Sequence, residues 1–247
     1  MEAHFNRVKA PGNLHETVTR ALALQVIEGQ RASEPVFFPN EAGLCEQLGV
    51  SRSILREAVK VLADKGMIEV RPRSGTRSRP RSEWNLLDPD ILAWQSELEP
   101  DARFLRDLCE VRLSIEPTAS GFAALRAMPE EVAAIQDCLE QRETRAGRVD
   151  AEQAIDLDLQ FHTAVVAASH NALFQQLSAI IRQPFRAALA LTSRLPAAAA
   201  LETEAYRALF EAIRGRDPLA ARAASDKIVG LAMIAVEQII RSMEKTQ

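Results

Sequence analysis

The chain is 247 residues long, 47% hydrophobic and 26% charged, with a net charge of −4, which allows two modest domains with real cores. Few aromatics beside abundant alanine favour helix. Three widely spaced cysteines, Cys45, Cys109 and Cys138, suggest neither a disulfide framework nor a zinc knuckle and read as small core residues, and no apolar run approaches the roughly 18 residues of a membrane span.

Residues 1–11 are polar and lack the apolar stretch of a signal, so a cytoplasmic location is expected. A first helix is predicted from about Leu14 to Glu28, with Asn13 as N-cap, Gly29 at its end and an apolar stripe of Val18, Ala21, Leu22 and Val26. A turn rich in Ser and Pro follows. Next, Ala42, Leu44, Cys45 and Leu48 recur at helical spacing and stop at Gly49. A second periodic segment, opened by Ser51 as N-cap, carries Ile54, Leu55, Ala58, Val61 and Leu62 and stops at Gly66. The run Met67 to Val70 is β-like and leads into arginines spaced around Ser74-Gly75, where a hairpin needs positive φ. Helix, tight turn, helix and basic hairpin is the layout of a winged helix-turn-helix, whose partner is double-stranded DNA.

Between positions 71 and 81 stand Arg71, Arg73, Arg77, Arg79 and Arg81, with no acid. The wing and then a linker are placed here; a solvated arginine-rich linker is the plainer alternative. Residues 1–82 hold 13 Lys and Arg against 9 Asp and Glu, and the remainder holds 17 against 25. A basic front on an acidic body suits a DNA reader joined to a second function. Beyond Ser82 the stretch Glu83 to Trp94 reads as a docking segment with a short helix, Asp88 or Asp90 near its start. From Asp101 only helical patterns appear, at 101–127, 129–147, 150–170, 171–193, 199–215 and 217–244. The expected fold class is mainly α. A winged helix-turn-helix DNA-binding domain with wing and linker occupies 1–82, and an all-helical bundle of six or seven helices occupies 83–247.

Arg52 and Arg56 lie four apart on one face of the second motif helix. At the start of a helix entering the major groove, an arginine can bond guanine O6 and N7 together, while Ser51 and the free amides beside it suit a phosphate. Arg71, Arg73 and Arg77, with the backbone at Gly75, would add backbone or minor-groove contacts. The alternative is solvated helix surface, with Arg56 paired to Glu57 or Asp64.

The residues Glu41, Leu44, Gly49-Val50-Ser51-Arg52, Arg56-Glu57-Ala58, Leu62, Gly66-Met67-Ile68-Glu69-Val70 and Gly75-Thr76 resemble the DNA-binding domain of GntR-type bacterial transcription regulators. Glu110-Val111-Arg112, Glu116-Pro117, Asp158-Leu159-Gln160-Phe161-His162, Asn171, Phe210-Glu211-Ala212-Ile213 and Asp217 are similar to the ligand-binding FCD domain of the FadR subgroup. Trp84-Asn85-Leu86-Leu87-Asp88 through Trp94 resembles the sugar-acid, galactonate-type regulators within it. The resemblance implies operator contacts from Ser51, Arg52, Arg56 and the wing around Arg73 to Gly75. Many members carry an arginine where this chain has Ala42, and that contact is absent. Metal-binding members are implied to add two later histidines, and here those positions are Tyr206 and Ile228.

Asp158 and His162 point the same way from one helix. Three readings stand side by side: a divalent metal such as zinc held by both, an internal polar pair, or hydrogen bonds to the hydroxyls of a polyhydroxylated acid, with Tyr206 nearby. An anionic effector needs a cation, and Arg112 is the first candidate because its fork matches a carboxylate. Arg112 can equally pair with Glu116. Arg182 and Arg186, one turn apart, are further candidates, while His170 suits a surface or cap position.

The expected protein is therefore a homodimeric transcription regulator, a repressor that a galactonate- or gluconate-like acid releases from its operator. A metal-dependent regulator answering another carboxylate such as lactate is the alternative, as is a DNA-binding protein without an effector. An enzyme is not expected, because no further clustered His, Cys or Glu completes a catalytic set around Asp158 and His162.

Overall fold

The computed structural model describes residues 13–71, 75–98, 101–146, 148–192 and 199–244. Two compact units, residues 1–99 and 100–247, divide the chain.

The first unit holds α1 (Leu14–Arg31), α2 (Glu41–Leu48), α3 (Arg52–Asp64), the hairpin β1 (Ile68–Arg71) and β2 (Gly75–Ser78), a 3-10 turn at Arg81–Glu83, and α4 (Pro89–Glu97). Helix α1 runs through Gly29, its predicted end, to Arg31. A Cβ at Gly29 would sit 2.2 Å from Val36 Cγ2, so the glycine serves close packing; inside a helix it costs only about 1 kcal/mol. Asn13 does stand at the N-cap, but its side chain makes no capping bond and its amide donates to Glu16 at 2.9 Å. Gly49 closes α2 in the left-handed region, φ 70°, which an L side chain adopts only at a cost. That reversal turns the chain from α2 into α3.

Helices α1, α2 and α3 bury Val18, Leu22, Val26, Leu44, Leu48, Leu55, Ala58 and Leu62 together. The wing joins this core through Met67 and Ile68, and α4 adds Ile91 and Trp94. β1 and β2 pair antiparallel, Ile68 opposite Ser78 and Arg71 opposite Gly75, and Phe37 bridges to Arg77 on the other side of β2. Asp88 caps α4 through the amides of Asp90 and Ile91 and also accepts from Lys65 Nζ at 2.7 Å.

The second unit is all helical among its described residues: α5 (Ala102–Arg126), α6 (Pro129–Arg145), α7 (Ala151–Ala168), α8 (Ala172–Thr192), α9 (Ala199–Arg214) and α10 (Pro218–Glu244). The predicted breaks at 128, at 170 and at 215–217 fall between helices, while those at 147 and 193–198 lie outside the described residues. Asp101 and Asp150 cap α5 and α7, and His170 reverses the chain with φ 51° while bonding Glu131 through Nε2 at 2.8 Å. Helix α5 lies along α10. One apolar cluster gathers Ile135, Leu139, Phe161, Val165, Tyr206, Leu209, Phe210, Ile213 and Ile228 from α6, α7, α9 and α10. A second joins Leu105, Leu108 and Cys109 of α5 to Ile181, Val236 and Ile240. Cys109 is buried, and Cys45 and Cys138 are half-buried against the cores of their units. No described helix is long and apolar enough to cross a membrane.

Candidate functional site

In the first unit the local sequence aims the basic residues outward. Ser51 caps α3, its Oγ accepting from the Ile54 amide at 3.5 Å, so Arg52 is the first residue of that helix. The amphipathic spacing turns Leu55, Ala58 and Leu62 inward and leaves Arg52 and Arg56 in solvent, 71% and 67% exposed. Both converge on Glu41 at the start of α2. Arg56 binds it with two bonds of 3.0 Å, and Arg52 Nε lies 3.8 Å away. Arg56 is therefore paired across the helix-turn-helix rather than to Glu57 or Asp64. The hydrogen bond and charge of Glu41 push the Arg56 guanidinium further up. Ala42 is exposed beside this group.

The wing repeats the arrangement. Cross-strand register sets Glu69 opposite Arg77, and Glu69 meets Arg77 Nε at 2.5 Å and Arg71 Nε at 3.1 Å. Those hydrogen bonds, Arg77's first, hold the Glu69 carboxyl below the usual range. Gly75 opens β2 at φ 81°. Arg73 lies outside the described residues.

In the second unit the polar residues face inward. Arg112 and Glu116, one turn apart on α5, pair through Nε–Oε1 at 2.6 Å and Nη2–Oε2 at 3.3 Å, and both are buried. The Arg112 guanidinium lies over the Phe185 ring, 3.5 Å from its centroid. Glu116 Oε2 is also 3.0 Å from His162 Nδ1, and His162 Nε2 is 3.0 Å from the Tyr206 hydroxyl. Burial pushes the Glu116 carboxyl up, but the charges and hydrogen bonds of Arg112 and His162 outweigh it and hold the group well below the usual carboxylate range. Beyond Tyr206, Arg142 of α6 stacks on the phenol ring at 3.8 Å and binds Asp158 Oδ1 through Nε at 2.5 Å. A continuous polar chain thus runs Arg112, Glu116, His162, Tyr206, Arg142, Asp158.

A small pocket opens on this chain between α5, α7 and α8, lined among others by Glu116, His162, Thr163, Ser178, Arg182 and Phe185. Its free space is on the order of one water molecule. Arg182 stands exposed at the rim and makes no ion pair among the described residues, whereas Arg112 is fixed beneath the floor by Glu116. Arg186 lies away from the pocket, paired with Glu152 at 2.9 Å and with Asp156. The structure therefore brings His162, Tyr206, Arg112 and Arg182 together, links Asp158 only through Arg142, and leaves Arg186 outside. Arg142, Thr163 and Ser178 carried no motif or spacing signal, because helix packing alone brings them here.

The donors do not fit a metal. Both ring nitrogens of His162 are engaged, by Glu116 and Tyr206. The Asp158 carboxylate is held by a guanidinium, and Ile228, buried in the apolar cluster, has no ligand atom. Among the described residues no group of three His, Cys, Asp or Glu can hold a metal ion.

Two family descriptions match the chain: "Bacterial regulatory proteins, gntR family" over residues 15–77 and "FCD domain" over residues 107–230. A galactonate operon transcriptional repressor of Escherichia coli is 35% identical over 86% of this chain and 92% of its own length. A putative L-lactate dehydrogenase operon regulatory protein of Escherichia coli is 35% identical over 65% of this chain and 60% of its own. A solved GntR family regulator from Pseudomonas syringae shares the fold over 98% of this chain and 92% of its own, with a TM-score of 0.53 and 17% identity.

Proposed function

This chain belongs to the gntR family of bacterial regulatory proteins and carries an FCD domain; it is a transcription regulator, and we propose that it is a repressor released from its operator by a small carboxylic or sugar acid. DNA reading falls to residues 1–82, and effector binding and dimerisation to residues 83–247. Ser51, Arg52 and Arg56 enter the major groove at the start of α3, with Arg71, Arg73 and the backbone at Gly75 on the neighbouring phosphates or minor groove. Two copies read a palindromic site, since the protein's two-fold symmetry is matched by that of the DNA.

The observation that carries the effector reading is Arg182, a guanidinium with no ion pair among the described residues, at the mouth of a pocket that also presents His162, Thr163 and Ser178. A guanidinium fork matches a carboxylate, and the Thr163 and Ser178 hydroxyls match the hydroxyls of a hydroxy acid. Galactonate and lactate, which occur in the names of two relatives, are both hydroxy acids. Space for about one water is too little for either, so an entering acid must move α8 against α5 and α7. A ligand that favours the opened arrangement shifts the population towards it, which is the differential binding that allosteric release requires.

A thermal-shift series with galactonate, gluconate and lactate tests this, because a ligand of the native state raises its melting temperature. One of these acids is expected to stabilise the wild type and to lose that effect in Arg182→Ala, with DNA binding retained. An Arg182→Ala protein that responds like the wild type would remove Arg182 from the site.

A further inference from the structure

Arg142 belongs to no motif, yet it joins Tyr206 to Asp158 in the second unit's polar chain. Asp158 and His162 sit one turn apart on α7, and an ion bridging them would need both within about 2.2 Å. That space is filled. Arg142 Nε approaches Asp158 Oδ1 at 2.5 Å, its guanidinium carbon lies over the Tyr206 ring, 3.8 Å from the centroid, and the Tyr206 hydroxyl is 3.0 Å from His162 Nε2. We infer that Arg142 is the fixed cation of this site, so that the pocket takes a small monocarboxylate without any metal.

The chemistry of the replaced residues agrees. A guanidinium stays charged at every physiological pH and is stabilised by an aromatic face. Tyrosine at 206 supplies that face and, with its hydroxyl, a partner for the imidazole; a histidine there would offer a ligand atom instead. Ile228, 4% exposed in the apolar cluster that also holds Tyr206, offers only hydrocarbon. Charge balance then sets the ligand class. Arg142 neutralises Asp158 and Arg112 neutralises Glu116, so neither carboxylate is left to hold a metal and neither of these paired cations is left for a ligand. Among the described residues that line the pocket, Arg182 is the one arginine and remains for an incoming anion, which suits one carboxylate and disfavours two.

This inference rests on the effector reading only for the identity of the ligand; its metal half stands separately. The purified full-length chain is assayed for bound metal by elemental analysis and melted with EDTA and with zinc chloride. Substoichiometric metal and the same melting temperature in both are expected. Asp158→Asn is expected to melt lower than wild type to the same degree with and without EDTA, as befits a lost partner of Arg142. Stoichiometric metal in the wild type, or a melting temperature that EDTA lowers and zinc restores, would overturn the assignment. The double variant Arg142→Met, Tyr206→His clears the guanidinium and adds a third donor, and it should gain a zinc-dependent rise in melting temperature that the wild type lacks. Galactonate, gluconate and lactate are tested in EDTA in parallel. A response appearing only with zinc refutes metal independence, while no response under either condition counts against the effector reading and leaves the metal content to decide on Arg142.

Discussion

Arg56 with Glu41 and Arg112 with Glu116 are the same two-bond pair in opposite surroundings. The first spans two helices with the arginine 67% in solvent; the second lies along one helix with the arginine 3% exposed. In water, such a pair is worth little, because both ions are nearly as well solvated apart. A phosphate or a guanine can therefore take the arginine at small cost. Out of water, separating the partners leaves a charge that nothing else stabilises. The first unit thus keeps Arg56 exchangeable and the second keeps Arg112 fixed.

Breaking the buried pair should have the largest effect. Glu116→Ala leaves Arg112 and His162 facing each other without their shared carboxylate, and a loss of about 3–5 kcal/mol in folding stability is expected. Denaturant unfolding measures it, and a stability within experimental error of wild type would mean the pair is not fixed. Arg52→Ala should leave the melting temperature unchanged while weakening specific over non-specific DNA binding roughly ten- to hundredfold, the discrimination expected from one bidentate base contact. Competition binding against random DNA reads that ratio, and an unchanged ratio would take Arg52 out of the groove.

Acid should sharpen the contrast further. The folded-state pKa of Glu116 is depressed, so its contribution is fully present above the ordinary glutamate value of 4.5 and is lost progressively as pH falls below it. Wild type should therefore lose melting temperature more steeply below that value than Glu116→Gln, which has no carboxyl to protonate there. Parallel slopes would contradict the depressed pKa. The smallest effect is expected from Glu41→Gln, which releases Arg52 and Arg56 from an exposed acid. Folding should be untouched, and non-specific DNA affinity should rise roughly severalfold with a steeper salt dependence. If affinity instead falls, Glu41 orients the arginines rather than competing for them.

Much of the fold was legible along the chain. Period-3.6 stripes gave the helices of both units, and Gly49, Ser51 and Gly66 gave the turn and the recognition helix, because these signals act over at most a few residues. Gly29 misled as a terminator, since its reason lies in Val36, which only the folded unit brings near. Composition changes at Ser82, where the arginines stop, but compactness follows burial, and Ile91 and Trp94 tie α4 into the first core. In the second unit, Arg112 with Glu116 was visible as an i,i+4 pair, whereas Asp158 and His162, equally spaced, turned to different partners.

By itself, then, the sequence determined the elements, their caps, the exposed arginines of α3 and the chemical inventory of the polar core, all of which depend on neighbours within one or two helical turns. Only the tertiary structure decided the partners. Glu41 reaches Arg56 across 15 positions, Arg142 reaches Asp158 across 16, and His162 reaches Tyr206 across 44. Such distances are set by how helices pack against one another, and no local spacing encodes them. That packing left Arg182 exposed at the pocket rim and Arg112 buried against Glu116, and placed the Arg142 guanidinium on Asp158, where its spacing from His162 suggested a metal.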